Sequence, residues 1–495
     1  MTRALLAALA ALAVLASPAS GSARQEAMFQ DDDHLIYPKD DGVVEHTLDE
    51  LDSLGVDRLR ITLVWRAVAP AADQDRKPSF DATDPAQYGD TAWSNYDRVL
   101  RLARERGIGV NFNVTAPAPD WATGTPERED IDDVYAPDPT EFGNFVKAAA
   151  TRYRDVDYWS IYNEPNQAGW LSPQWVRDGD GDWEEASPRH YRALLDAAWT
   201  ALQTSGHGGD TILVGETAPK GLRDNRGETS SIDALRFLRR LYCVDDNLLL
   251  LRGKQATEHG CPTSDAEQVF PREHPALFDA TGYGHHPYEL LNPPDAKPFW
   301  PDWATTANLP TLQEHLRKLR ARYGRPGGLP LYLTEYGYQT NPPDRTGVTW
   351  ATQAAYLAQA EYIAFRNPGV RALSQFLLID GPPPAGDTFQ TGLRTVDGKA
   401  KPSLRGYRFP IHVVRRGRRI TVWGLARAAA ADSRPRYAIE FRRRGSRRWR
   451  RIASKRGLAG PGYVLATVSV PGTGGHVRLR WERQTSRAVA VRARR

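Results

Sequence analysis

Between about Ala27 and Phe409 the chain alternates short aliphatic and aromatic runs with longer stretches whose apolar positions recur three and four residues apart. Runs of the first kind read as buried strands and stretches of the second as helices laid on them. The strand-like segments are Leu59–Trp65, Ile108–Val114, Val156–Asn163, Thr211–Val214, Thr281–His286, Leu331–Glu335 and Ala372–Ile379, with Met28-Phe29 as a first strand. Helical spacing covers Asn95–Arg106, Glu141–Tyr153, Pro188–Thr204, Leu312–Tyr323 with Thr311 as its N-cap, and Ala351–Arg366. Eight strands alternating with helices predict an α/β chain that closes as a (β/α)8 TIM barrel over residues 27–409, with its functional residues at the C-terminal strand ends.

The pattern changes after Pro410. Seven short runs (Ile411–Val414, Ile420–Gly424, Tyr437–Arg443, Trp449–Ala453, Tyr463–Val470, Val477–Glu482 and Ala488–Val491) are parted by Gly, Arg and Pro turns. Short strands at that spacing predict a small C-terminal all-β sandwich of fibronectin or immunoglobulin type over residues 411–495. Length agrees with one large and one small domain, since 495 residues exceed what a single small core organises.

Charge separates the same two regions. Residues 411–495 hold 23 Arg and Lys against 3 Asp and Glu, while the whole chain holds 65 against 60. A near-neutral total therefore hides an acidic front and a basic tail. The tail has two readings: a face that holds an anionic polymer, or a solvated arginine-rich surface that keeps edge strands from pairing. The Asp31-Asp32-Asp33 run is too short to count as an acidic tract.

At the N-terminus, Met1-Thr2-Arg3 precedes an Ala/Leu run to Ala16 and then small residues up to Ala23. A basic start, a short apolar stretch and a small-residue exit predict a signal peptide over residues 1–23 and a secreted, extracellular or wall-associated protein. The alternative, an uncleaved anchor, fits a run this short less well. Cys243 and Cys261, 18 positions apart, suit a disulfide in an exported chain better than a metal site. No metal or organic cofactor is implied, and the oligomeric state is not legible.

Two strings carry chemistry: Ile161-Tyr162-Asn163-Glu164-Pro165-Asn166 and Leu331-Tyr332-Leu333-Thr334-Glu335-Tyr336-Gly337. Each places a glutamate at the end of a strand-like run. Two carboxylates presented from two strand ends are what glycoside cleavage needs, one holding a proton for the leaving oxygen and one staying ionised against the sugar's developing positive charge. Glu216, near the end of the fifth strand, is a third carboxylate without such a motif and reads as a spectator.

Asn163-Glu164-Pro165 after the fourth strand and Thr334-Glu335 after the seventh resemble the clan A glycoside hydrolases, families 5 and 39 above all, over roughly residues 27–409. The resemblance implies a carbohydrate substrate and hydrolysis of a β-linked glycan, with Glu164 as acid/base and Glu335 as nucleophile. It also implies that Arg60 bonds the nucleophile and Asn163 the sugar 2-hydroxyl, that His286 and Tyr288 form a sixth-strand element, and that Trp121 lines the sugar cleft. His285 adjoins His286, so either ring could enter the site. Retention corresponds to carboxyl groups about 5–5.5 Å apart and inversion to about 6.5–9.5 Å; retention is the expectation.

The chain also departs from the family. Ser374 to Asp380 holds no tryptophan where these barrels usually place one at the eighth strand, and Asn111-Phe112-Asn113 lacks a third-strand histidine of many family 5 members. Both positions shape the sugar subsite, so the glycan is not named by the sequence. Trp170, Trp175, Trp183, Trp300 and Trp303 fall in loops and could stack on sugar faces. A non-catalytic carbohydrate-binding protein on a decayed barrel is the rival expectation, and a transglycosylase or lyase on the same scaffold stays open.

Overall fold

The computed structural model describes residues 24–492 except 127, 223–225, 383–387, 430–433, 459, 461 and 473, so the expected signal peptide lies outside the described residues. Eight parallel strands close a barrel in sequence order: β1 (Glu26–Gln30), β2 (Arg58–Val64), β3 (Gly109–Thr115), β4 (Tyr158–Ile161), β5 (Thr211–Thr217), β6 (Gly282–His285), β7 (Leu331–Leu333) and β8 (Val370–Phe376), with β8 paired back onto β1. Their side chains are buried almost without interruption because helices cover the outer face and side chains fill the inner one. Inside, Met28, Leu213, Tyr332 and Ala372 pack as a separate apolar plug. Alongside it the interior turns polar, with Arg60, Asn111, Ser160 and Glu216 all buried.

Some element ends differ from the sequence expectation, each for a local reason. The helix expected from Leu312 runs Leu309–Ala321, because Pro310 fits the first helical turn and Thr311 lies inside it. β4 stops at Ile161 and β7 at Leu333, so both marked glutamates sit in the loops just past the strands. The Asp31-Asp32-Asp33 run is not inert. Asp31 accepts from the backbone N–H groups of Leu378 and Ile379, and Asp32 accepts from the Thr62 hydroxyl at 2.6 Å, joining β1, β2 and the loop after β8.

Beyond Pro410 two antiparallel sheets stack. One contains β9 (Ile411–Arg416), β10 (Arg419–Leu425) and β13 (Tyr463–Ser469). The other orders β12 (Arg450–Arg456), β11 (Arg436–Arg443), β14 (Gly474–Trp481) and β15 (Gln484–Thr485), with β16 (Val489–Arg492) also on β14. Ile420, Val422, Tyr437, Ile439, Phe441, Val477 and Leu479 fill the space between them. This unit packs on the barrel through Trp423, Leu425 and Tyr463 against Phe365. A buried pair at the same junction, Arg427 Nη2 to Glu361 Oε2 at 2.7 Å, ties them further. Cys243 and Cys261 are joined as a disulfide with a Cα–Cα distance of 5.8 Å. Among the described residues no helix is long and apolar enough to cross a membrane.

Candidate active site

The loops after β4, β6 and β7 bring five of the residues singled out in the sequence (Asn163, Glu164, His286, Tyr288 and Glu335) onto one network with a sixth, Arg60 on β2, at its centre. That guanidinium, 1% exposed, donates to Gln30 Oε1 at 2.6 Å, Asn163 Oδ1 at 2.5 Å, Glu216 Oε2 at 3.0 Å and Glu335 Oε2 at 3.3 Å. Arginine suits this position because its planar fork serves several acceptors at once and its charge persists when buried. Asn163 gives its carbonyl oxygen to Arg60, so only its amide N–H groups remain for a ligand.

The arrangement around Glu335 is tight. Its Oε1 accepts from the Tyr288 hydroxyl at 2.6 Å, its Oε2 from Arg60, and His286 Nδ1 stands 3.9 Å from Oε2. Burial raises the Glu335 carboxyl above its ordinary range, and the Glu164 charge adds to that. His286, Arg60 and the Tyr288 hydroxyl pull the other way without cancelling the effect. Glu164 takes a left-handed backbone with φ +38°, a conformation that non-glycine residues adopt at a cost and that here turns its carboxylate onto His286.

His286, not His285, enters the site. Its Nδ1 bonds Glu164 Oε1 at 2.8 Å and its Nε2 bonds Glu216 Oε2 at 3.0 Å. Burial alone would depress its pKa, yet Glu335, Glu164 and Glu216 together push it up to about 9. The ring is therefore an imidazolium at neutral pH and donates from both nitrogens. His285 is spent on Thr217 Oγ1 and the Ala304 carbonyl, and burial lowers it to about 4.

Glu216, a spectator by the sequence, lies inside this network. It has no solvent exposure, and its two oxygens accept from Arg60, His286, Ser160 at 2.8 Å and Thr334 at 2.8 Å. Burial would raise this carboxyl, but Arg60 and His286 outweigh it and hold it at about 2. The register of β5 against β6 slips between Gly215 and Thr217, so Glu216 is the bulged residue, with φ +46°. The bulge aims it inward. Gly284, on β6, makes the room, because a methyl group there would overlap the Glu216 carboxylate. A carboxylate that follows Gly215 and the apolar run Ile212–Val214 was the available signal, since an ionised group enters a core only with partners.

Side-chain exposure separates the three carboxylates. Glu164 and Glu335 keep 18% and 15%, enough to meet a ligand, whereas Glu216 keeps none. Glu164 and Glu335 share one imidazole nitrogen, at 2.8 and 3.9 Å, so their nearest oxygens can be no farther apart than the sum of those distances. That limit only touches the lower edge of the range for inverting pairs, about 6.5–9.5 Å.

Trp121 is not brought into this network. Its indole N–H donates to the Pro70 carbonyl at 3.1 Å, and its ring packs edge-on against Trp65 of the core and the half-buried Phe80. Of the loop tryptophans, Trp175 is buried with its N–H on the Ser230 carbonyl, and Trp183 and Trp303 carry Arg177 and Lys220 over their rings. At the eighth strand, Phe376 stands edge-on to the exposed Phe389, while Gln375 donates to backbone carbonyls of the surrounding loop. Asn111 and Asn113 on β3 are buried and donate to Ser160 and to the Tyr162 carbonyl. Outside the Arg60 network, Glu184, Glu185 and His259 bring potential metal-ligand atoms within 4.8 Å of one another. Glu185 is already held by Arg236, with Arg240 at 3.5 Å, so the cluster is charge-balanced without an ion.

The chain matches no protein-family model and no curated protein. Solved structures to which it is similar include a family 39 glycoside hydrolase from the gut symbiont Bacteroides cellulosilyticus WH2, at 15% identity and TM-score 0.48, covering 90% of this chain and 80% of that one. A glucosidase from Croceicoccus marinus is 13% identical with TM-score 0.47, over 92% of this chain and 82% of that one. A β-glucosidase from Exiguobacterium marinum is 16% identical with TM-score 0.47, over 76% and 89%. In its closed barrel and in the order of its two marked glutamates, the chain resembles the clan A glycoside hydrolases.

Proposed function

We propose that this chain is a retaining glycoside hydrolase that cleaves a β-linked glycan outside the cell. The observation that carries the proposal is the pair of partly exposed carboxylates, Glu164 and Glu335, both drawn to the Nδ1 side of His286 at the mouth of the barrel. Glu335, gripped by Tyr288 and Arg60, attacks the anomeric carbon as Glu164 passes its proton to the departing oxygen. A glycosyl ester on Glu335 results. Glu164, now ionised, takes a proton from water, the hydroxide attacks the same carbon from the side the leaving group vacated, and the ester bond to Glu335 breaks. Asn163 offers its amide N–H groups to the ring substituent next to the reacting carbon.

The β-linkage is carried over from the motifs that resemble families 5 and 39. Export is supported by the disulfide between Cys243 and Cys261, which persists in oxidising compartments. The test uses aryl β-glycosides: Glu164→Gln and Glu335→Gln each lose on the order of 10²-fold or more in kcat. NMR of the first-formed anomer reports retention. Unchanged turnover in either variant ends the enzymatic reading, and inverted product ends the retaining one.

A further inference from the structure

The outer face of the second C-terminal sheet carries an organised array of cations. Along β11, the buried Tyr437, Ile439 and Phe441 point into the sandwich, so Arg436, Glu440 and Arg442 stand on the opposite face. Along β14, Val477 and Leu479 point inward, and Arg478 and Arg480 outward. The register places Arg451 beside Glu440 and Arg456 beside Arg436. Six guanidinium groups thus share one face with a single carboxylate. That carboxylate, Glu440, is already held by Arg478 at 2.8 Å and Arg480 at 3.0 Å.

Protection of a sheet edge does not account for this. β12 is an edge strand, but β11 and β14 are interior strands, and four of the six arginines lie on them. The array also has a cost, since Arg436 and Arg456 are direct cross-strand neighbours and like charges so placed destabilise a sheet. A bound polyanion removes that repulsion. On β14 Arg478 and Arg480 stand about 6.7 Å apart, across β11 and β12 Arg436 faces Arg456 about 4.8 Å away, and Arg451 and Arg478 flank Glu440 from the two neighbouring strands, so several anionic groups of one chain can rest on the cluster at once.

We propose that this face binds an anionic polysaccharide, one bearing carboxylate or sulfate groups, and so anchors the barrel on the material it works on. The polysaccharide class rests on the glycan activity proposed above; the binding of a polyanion does not. Nucleic acid fits less well. Single strands are usually held by open aromatic rings on which bases stack. The aromatic ring beside this array, Trp449, is already engaged by Arg442 at 4.9 Å and Arg478 at 4.3 Å.

Affinity electrophoresis of the full chain against polygalacturonate, heparin, a neutral glucan and oligothymidylate tests the proposal. Wild-type chain is expected to be retarded by polygalacturonate or heparin and not by neutral glucan, with retardation weakening as salt rises. Which of the two retards it more distinguishes a carboxylated from a sulfated partner. Arg451→Glu with Arg456→Glu, two exposed positions on the edge strand, is expected to weaken binding about tenfold or more while aryl glycoside turnover is unchanged. Equal binding by wild type and this variant, with the fold intact by circular dichroism, overturns the assignment of the face. Tighter binding of oligothymidylate than of either polysaccharide at equal salt overturns the polysaccharide class. Retardation that persists in Glu335→Gln supports a surface independent of catalysis, so failure of the proposed activity leaves a distinct signature.

Discussion

His286 Nε2 lies 3.0 Å from Glu216 Oε2, and neither side chain has any solvent exposure. The pair works as a charge relay in the static sense. Glu216 fixes the imidazolium, and the imidazolium's other nitrogen fixes Glu164. With no exposed surface of its own, Glu216 is read as a positioning residue whose effect reaches the proposed reaction through His286 and Arg60.

Glu216→Gln is therefore expected to reduce kcat on the order of 10²-fold through misplacement of Glu164 and Glu335, and to cost about 3–5 kcal/mol by leaving Arg60 and His286 short of a counter-charge. A purely structural role would not move the pH profile. Because Glu216 is one of the groups that raise His286, any loss of kcat/KM that follows deprotonation of this ring is expected at lower pH in the variant than in the wild type. An unmoved limb would remove Glu216 from the network.

Tyr288→Phe tests the grip on Glu335. The Tyr288 hydroxyl donates to Glu335 Oε1 at 2.6 Å and favours the ionised carboxylate, so its loss raises a carboxyl that is already elevated. The acid limb of kcat/KM is expected to move to higher pH. A hydrogen bond to a charged group is worth about 1.5–3 kcal/mol, which corresponds to a fall of roughly 10- to 150-fold in the rate of glycosylation. A pH–rate series on one aryl glycoside measures both.

Much of this was legible in the chain, and the omissions have physical causes. The barrel could be read because parallel strands buried on both faces leave short apolar runs such as Ile212–Val214 and Leu331–Leu333. Glu164 and Glu335 could be singled out because each ends a strand-like run, and Arg60, Asn163, His286 and Tyr288 through the resemblance of their strings to glycoside hydrolases. Glu216 was set aside because its role depends on a bulge and on a glycine 68 positions away, and neither leaves a periodic trace. The packing of Trp121 on Trp65 and Phe80 left no trace in the sequence, because an indole in a loop looks alike whether it meets a sugar or other rings. The upward displacement of Glu335 was also not legible, since burial and four surrounding groups decide its net direction.

The room that Gly284 leaves for Glu216 gives a prediction specific to the bulge. Gly284→Ala places a methyl group against the carboxylate and is expected to cost about 1–3 kcal/mol, as overpacking generally does. Combined with Glu216→Ala, which removes the obstructing group, the same methyl is expected to cost little. The double-mutant cycle from thermal unfolding should then show a coupling energy of the same order. Simple additivity would mean that the two positions do not compete for space.

Stability should carry the signature of His286 in a defined pH window. Its pKa is about 6.5 in an unfolded chain and is raised to about 9 in the fold. A raised pKa in a cationic group contributes stability that is complete below the unfolded value and is lost as pH climbs through the folded one. Wild type and His286→Gln should therefore differ most in Tm below pH 6.5, and the difference should shrink as pH rises to about 9. Comparison of the two proteins isolates this group from Glu361, which burial raises to about 7 and which titrates equally in both. A Tm difference that is flat from pH 6 to 9 would show that the imidazole is neutral in the fold. Glu164 and Glu216 would then face each other across His286 without the charge that holds them.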